Sequence, residues 1–318
     1  MIEFSSDAEM QKIPQLARDF FENVLYDEDP LFVSDEAKIW DVSTSTGEDL
    51  LDRCSKYYGK PVTLEDFKLP LWRLLRQFYE GRESLLAKNR LIVALDVPSA
   101  DAARELAAQL NGTCRWVKVG LELYLAAGSS IVEELASQGF SVFLDLKFHD
   151  IPNTVAGAVR SAASMGASLL TVHAAGGPAM LRAAAEAAAT TTNAPRLLAV
   201  TVLTSMDKEQ LSAIGIDRTA ADQVLRLARM AIGSEIRGLV CSPEEVAILR
   251  RELGTEPRLV VPGIRPAGAA VGDQKRIATP ADAIRAGASQ LVVGRPITRA
   301  ADPSKAAQVI LDEIVSAI

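Results

Sequence analysis

The sequence predicts an α/β protein, a (β/α)8 TIM barrel preceded by a small, mainly α-helical N-terminal domain. Three observations carry that expectation. Eight short β-rich runs alternate with alanine-rich helical segments from Arg90 to the C-terminus. Each run is a nearly continuous apolar stretch, the pattern of parallel strands covered on both faces by helices. Charge and aromatic content both shift near Lys88. The 318 residues, 48% hydrophobic and 24% charged, suit a folded globular chain with room for one large domain and a smaller one.

The N-terminal segment comes first. Residues 1–88 hold 18 Asp and Glu against 11 Lys and Arg and so carry the whole formal charge of −7, while residues 89–318 hold 23 of each. The same segment holds 12 of the 17 aromatic residues. Two coincident shifts place a domain boundary there, giving a small acidic helical domain over 1–88 and the barrel over 89–318. The stretches EMQKIPQLARDFFENVLYDEDP, TGEDLLDRCSKYYGK and TLEDFKLPLWRLLRQFYEGRE read as three or four amphipathic helices, with Pro30, Pro61 and Pro70 at the breaks and a capping pattern from Thr63 to Asp66. The aromatics imply a small core or a docking face, and no partner for it is legible.

The barrel elements follow in order. The β-rich runs are LIVALDV (91–97), RWVKVG (115–120), SVFLDLKF (141–148), SLLTVHA (168–174), RLLAVTVL (196–203), GLVCS (238–242), RLVVPG (258–263) and QLVVG (290–294). Segments such as SADAARELAAQLNG, SSIVEELASQG and PEEVAILRRELG between them carry helical periodicity and end in glycine, which adopts the left-handed cap most cheaply. Gly112, Gly139, Gly166, Gly254 and Gly287 each stand shortly before the next run, and DPSKAAQVILDEIVSAI closes the chain as a helix. An open doubly wound sheet is the alternative, but no Gly-x-Gly-x-x-Gly follows the first run.

Composition also narrows the function classes. No run approaches the roughly 18 apolar residues of a membrane span, and MIEFSSDAEMQKIPQ lacks the basic start and apolar stretch of a signal peptide, so a cytoplasmic protein with no membrane role is expected. Cys54, Cys114 and Cys241 are odd in number and far apart, and only two histidines accompany them; neither a disulfide framework nor a structural metal is expected. Neither part is basic enough to suggest nucleic acid as a partner.

Charge concentrates where such a barrel does its chemistry, at the C-terminal ends of the strands. Asp96 lies near the end of the first run, Lys118 near the end of the second, Asp145 and Lys147 in the third, and Asp150 just beyond it. Strand alternation puts Asp145 and Lys147 on one face, and neighbouring strands bring Asp96 and Lys118 toward them. Any single pair could be a salt bridge tying strand ends together. A buried network of four is a poor route to stability and a good route to a preorganised site. On the far side, VVPGIRP and VVGRPIT place glycine and arginine just past the seventh and eighth runs, the usual phosphate position of these barrels, which makes Gly294 and Arg295 the candidate phosphate binders; tight turns and surface arginines, Arg265 included, are the alternative. His173 could be an acid, a base, a supporting donor or simply structural. His149 points away from Asp145 and Lys147 if the strand persists. No Ser/His/Asp or Cys/His nucleophile arrangement is evident, and Cys241 reads as a small packing residue.

From about Arg90 to Ile318 the chain resembles the orotidine 5′-phosphate decarboxylase family. The likeness rests on ALDVPSA, VKVGLELY, FLDLKFHDIPNT, VHAAGG, VTVLTS, VCSPEE, PGIRPAG, DQKRIATPADAI and LVVGRPIT, in family order. It implies conversion of orotidine 5′-phosphate to UMP in de novo pyrimidine biosynthesis, with no metal and no cofactor. It implies an alternating array of Lys118, Asp145, Lys147 and Asp150, in which Lys147 protonates C6 and Asp145 crowds the substrate carboxylate. Asp96 and Lys118 would hold ribose hydroxyls, Thr204 and Ser205 would lie by the pyrimidine, Gln274, Gly294 and Arg295 would grip the phosphate, and Arg265 matches a further ligand-contacting position. Asp150, Ile151 and Thr154 would reach into a partner's site, implying a homodimer with shared active sites. A sister group of sugar-phosphate decarboxylases and aldolases keeps the D-x-K-x-x-D of the third run but binds Mg²⁺ with a glutamate where this chain has Lys118. A non-catalytic barrel with an N-terminal interaction module is a further alternative, and loss of the charged array would mark it; all its members are present.

Overall fold

The computed structural model describes residues 3–4, 9–13, 16–17, 20–21, 24–25, 32–58, 61–266 and 278–318. The chain divides into two compact units, Met1–Leu86 and Ala87–Ile318. In the second unit, eight parallel strands close a barrel in chain order: β1 (Leu91–Ala94), β2 (Trp116–Gly120), β3 (Ser141–Phe148), β4 (Ala167–His173), β5 (Arg196–Val200), β6 (Gly238–Val240), β7 (Arg258–Val261) and β8 (Gln290–Val293), with β8 pairing back onto β1. The barrel is therefore the architecture, and the open sheet is not.

Alternation along each strand explains why the runs are apolar throughout. Ile92 and Ala94 of β1, Phe143 of β3, Leu169 of β4, Leu198 of β5, Val260 of β7 and Val292 of β8 fill the inside of the barrel. Their neighbours, including Leu91 and Val93, Val117 and Val119, and Leu259 and Val261, face outward into the layer packed under the helices. Fully burying each such large side chain contributes about 1.5–3 kcal/mol, so the packed stretch of each strand is mostly apolar on both faces. One step of two residues further along the inner face brings Ala94 to Asp96, Trp116 to Lys118 and Phe143 to Asp145. The positions at which charge appears are thus the first inner-face positions beyond the packed layer.

The N-terminal unit has its own core. Phe20, Phe67 and Phe78 are fully buried, along with Leu50, Leu71 and Leu74, and Tyr58 meets Phe78 at a ring separation of 4.7 Å. The helices expected over the second and third stretches are found at Gly47–Tyr58 and Leu71–Arg90. Pro70 opens the latter, its carbonyl accepting the Leu74 N–H at 3.0 Å, a position that suits proline because no donor is lost there. The Thr63–Asp66 pattern stands on a short 3-10 turn: the Thr63 N–H and hydroxyl both donate to Asp66 Oδ2, at 2.8 and 2.9 Å. Of the first expected helix about half the residues, and Pro30, lie outside those described. Residues 16–17 and 20–21 are helical, with the Ala17 N–H donating to the Ile13 carbonyl at 3.1 Å and the Val24 N–H to the Phe20 carbonyl at 2.9 Å. The start, Glu9–Lys12, is a 3-10 turn capped by the Asp35 carboxylate, which accepts the Glu9 and Met10 N–H groups. Burial pushes the Cys54 thiol up to about 12, which leaves it unreactive. No helix among the described residues is long and apolar enough to cross a membrane.

Candidate active site

At the C-terminal ends of β1, β2 and β3 four charged side chains form one line. Lys118 Nζ donates to Asp96 Oδ1 at 2.8 Å and lies 3.6 Å from Asp145 Oδ2. The other oxygen of Asp145, Oδ1, accepts from Lys147 Nζ at 2.9 Å. The order is therefore Asp96, Lys118, Asp145, Lys147, with signs alternating. Exposure grades along it: the Lys118 and Asp145 side chains are 10% and 13% exposed, Lys147 33% and Asp96 56%. Opposite unit charges about 4 Å apart attract by about 4 kcal/mol at an effective dielectric near 20, while each buried ion forfeits several kcal/mol of hydration. The central pair comes close to breaking even, so stability alone does not account for it. Burial raises the Asp145 pKa, but the charges of Lys118 and Lys147 and the hydrogen bonds from Lys147 and Thr171 outweigh it and hold the carboxyl below its ordinary range. Asp145 is an anion locked between two ammonium groups.

The face shared by Asp145 and Lys147 is reached by a different route from plain alternation. Leu144 pairs with Leu170 and Phe148 with Val172, so three residues of β3 stand opposite the single residue Thr171 on β4. Lys147 takes a left-handed φ of 52° at this bulge, a conformation that costs a side chain with a Cβ about 1–2 kcal/mol. Its N–H leaves the ladder and donates to Thr171 Oγ1 at 2.9 Å, and the Thr171 hydroxyl donates to Asp145 Oδ1 at 3.0 Å. In the sequence Thr171 reads as one residue of an apolar run; its signal is a lone hydroxyl on the inner face two positions before His173. In the sequence Gly120 reads as a strand end. A Cβ there would stand 2.8 Å from Lys118 Nζ and 3.0 Å from Asp96 Oδ1, so the missing side chain is the space in which that pair meets.

The two histidines pair with each other. The strand does not persist to His149, whose ring stacks on that of His173 with centroids 5.2 Å and planes 19° apart. His173 Nδ1 accepts the Ala175 N–H. Burial first, then His149 and Lys147, lowers the His173 pKa, which keeps the imidazole neutral near pH 7 and points to a structural part for it.

Across the mouth, β8 ends at Val293, and Gly294 lies so near β1 that a Cβ on it would be 3.6 Å from Ala94 Cβ and 4.0 Å from Asp96 Oδ2. Arg295 follows at the start of the turn Arg295–Thr298, in which the Ile297 and Thr298 N–H groups bond back to the Gly294 carbonyl at 2.8 and 3.0 Å. Arg265, 8% exposed, donates to the Ile264 carbonyl at 2.8 Å, and its pKa is lowered by burial and then by the charge of Arg295. Two guanidinium groups close enough to repel each other make a ready anion position. Gln274 lies outside the described residues; Ile264 and Ala278, on either side of it in the sequence, form an isolated bridge. Thr204 and Ser205 stand in the turn after β5.

Asp150 is not joined to this line within one chain. It is exposed, and its carboxylate accepts the N–H of Ile151 at 2.6 Å. Ile151, 67% exposed, and Thr154, also exposed, sit at the start of the helix Pro152–Ser164. Among the described residues no group of three or more His, Cys, Asp or Glu is placed to hold a metal ion.

The barrel residues are similar to known proteins. Residues 89–310 match the family described as orotidine 5′-phosphate decarboxylase / HUMPS. Orotidine 5′-phosphate decarboxylase of Halorhodospira halophila is 54% identical over 228 residues, 72% of this chain and 97% of that protein. The Moorella thermoacetica protein of the same name is 51% identical over 234 residues, 72% of this chain and 93% of its own. The crystal structure of orotidine 5′-phosphate decarboxylase from Lactobacillus acidophilus superposes with a TM-score of 0.64 at 40% identity, covering 71% of this chain and 99% of that one. The nine stretches that carried the resemblance all lie within the matched region, and the chain belongs to the orotidine 5′-phosphate decarboxylase / HUMPS family.

Proposed function

We propose that the protein converts orotidine 5′-phosphate to UMP and CO2 in de novo pyrimidine biosynthesis, without metal or cofactor, and that the line Asp96–Lys118–Asp145–Lys147 does the work. The carrying observation is the alternation of charge in that line, with Asp145 locked as an anion beside the Lys147 ammonium. Placed over it, the substrate carboxylate meets Asp145; two like charges about 4 Å apart repel by about 4 kcal/mol at an effective dielectric near 20. The C6–carboxyl bond breaks, its electron pair stays on C6 and CO2 leaves, which removes the repulsion. Lys147 stabilises the developing charge and transfers its proton from Nζ to C6.

The remaining residues bind and orient. Asp96 and Lys118 take the ribose hydroxyls, Thr204 and Ser205 the pyrimidine, and Gln274, Gly294, Arg265 and Arg295 the phosphate end, whose remote binding energy supports distortion at C6. Asp150, Ile151 and Thr154, exposed in one chain, complete the site of a second copy, so the active unit is a homodimer with shared sites. Cys54, Cys114 and Cys241 are buried thiols outside any disulfide, which fits a reducing cytoplasm.

The Mg²⁺-dependent sister chemistry is disfavoured by the residues themselves. The two carboxylates that face the site, Asp96 and Asp145, already share the Lys118 ammonium, which would repel a divalent cation. Loss of orotidine 5′-phosphate absorbance, followed with and without EDTA, tests the proposal. Turnover unaffected by the chelator is expected. No turnover by folded protein would refute it, and EDTA-sensitive activity on a sugar phosphate would install the sister reaction instead.

A further inference from the structure

We propose that Thr171 is a positioning residue of this site: one buried hydroxyl sets the separation of Asp145 and Lys147 without touching substrate. The inference rests on the decarboxylase reading and adds to it a group from β4, a strand that supplies none of the charges.

Thr171 is fully buried and is the single residue of β4 that faces the three-residue bulge Asp145–Leu146–Lys147. A hydroxyl has one proton to give and lone pairs to receive. Here the Lys147 N–H donates to it at 2.9 Å, which leaves its own proton for Asp145 Oδ1 at 3.0 Å. That same oxygen takes the Lys147 Nζ bond at 2.9 Å. Backbone and side chain of Lys147 are thus tied to one carboxylate oxygen by two paths, and only one of them runs through the reactive ammonium. The second path also satisfies the N–H that the left-handed φ of 52° turns out of the ladder, a donor that would otherwise be buried without a partner. Without the hydroxyl the bulge has no reason to keep that backbone angle, and Nζ is carried away from C6 with it.

Thr171→Val keeps shape and strand preference and removes both hydrogen bonds; Thr171→Ser keeps both. The wild type and the two variants are compared for kcat, for UMP affinity and for thermal midpoint. The valine variant is expected to lose kcat about tenfold or more, with UMP affinity within about threefold, and the serine variant to stay within about threefold of wild type in both. A residue that only stabilised the barrel would lower the thermal midpoint of the valine variant and leave the kcat of its folded fraction intact. Wild-type kcat in Thr171→Val, or equal loss in the serine and valine variants, overturns the inference while leaving the decarboxylase reading standing. If the valine variant does not fold, Thr171→Cys, similar in size and a weak hydrogen-bonding group, takes its place under the same criteria. A wild type without turnover removes the reading itself, and the inference with it.

Discussion

Lys118 is the residue on which the charged line turns, since both carboxylates that face the site depend on one ammonium held by its own strand end. The space for that ammonium comes from Gly120, whose φ of −97° and ψ of −176° are ordinary for any residue. Glycine is therefore needed there for room and not for backbone freedom. The atoms a Cβ would meet are the tips of two flexible side chains, so they can swing aside at little cost. Gly120→Ala is expected to change stability by less than about 1 kcal/mol while lowering kcat about tenfold or more; denaturant unfolding and steady-state kinetics on the same preparation check the two halves, and unchanged kcat would show that the pair tolerates displacement. At this scale the sequence revealed the charged residues, because charge at the end of an apolar run is conspicuous. It concealed Thr171 and Gly120, because a threonine and a glycine at strand positions carry no mark of what they face.

Among the elements, helix ends were the most legible part. All five glycines expected to close helices, Gly112, Gly139, Gly166, Gly254 and Gly287, take positive φ between 74° and 106°, as a residue without a Cβ does cheaply. The strand β3 was legible in its extent, Ser141–Phe148, but not in its pairing beyond Leu144. Beyond it the bulge replaces alternation, and nothing in DLKFHD signals a left-handed lysine, since that angle is imposed by the neighbouring strand. The same element then delivers Asp150 and Ile151 to solvent at the head of the helix Pro152–Ser164, away from the line made by its own chain. If those residues complete a second copy's site, Lys147→Ala and Asp150→Ala fail in different halves of one composite. Mixed after mild dissociation, they are expected to regain about a quarter of wild-type specific activity, because about half the reassorted dimers are mixed and each of those has one intact site. Activity of the mixture no greater than that of the separate variants would contradict shared sites.

For the whole molecule, the division of charge matters more than its total. The acidic excess belongs to residues 1–88 and the barrel residues balance to zero, so the anionic substrate is not drawn in by a broad positive field. On the proposed reading it is recognised by the local pair Arg265 and Arg295 and by the ammonium groups of the line. Composition made the two-part organisation visible because it averages over many residues. Within the first 35 residues the described buried side chains Met10, Ile13, Ala17, Phe20 and Val24 recur at the three- and four-residue spacing of an amphipathic helix, as the sequence reading expected. Proton transfer from Lys147 to C6, beside the Asp145 carboxylate held as an anion, is the central step of the proposed reaction. Its most direct test is the turnover of orotidine 5′-phosphate by Lys147→Ala beside its affinity for UMP. A fall in kcat of about ten-thousandfold or more with nucleotide binding retained is the predicted result; turnover within about tenfold of wild type would contradict it.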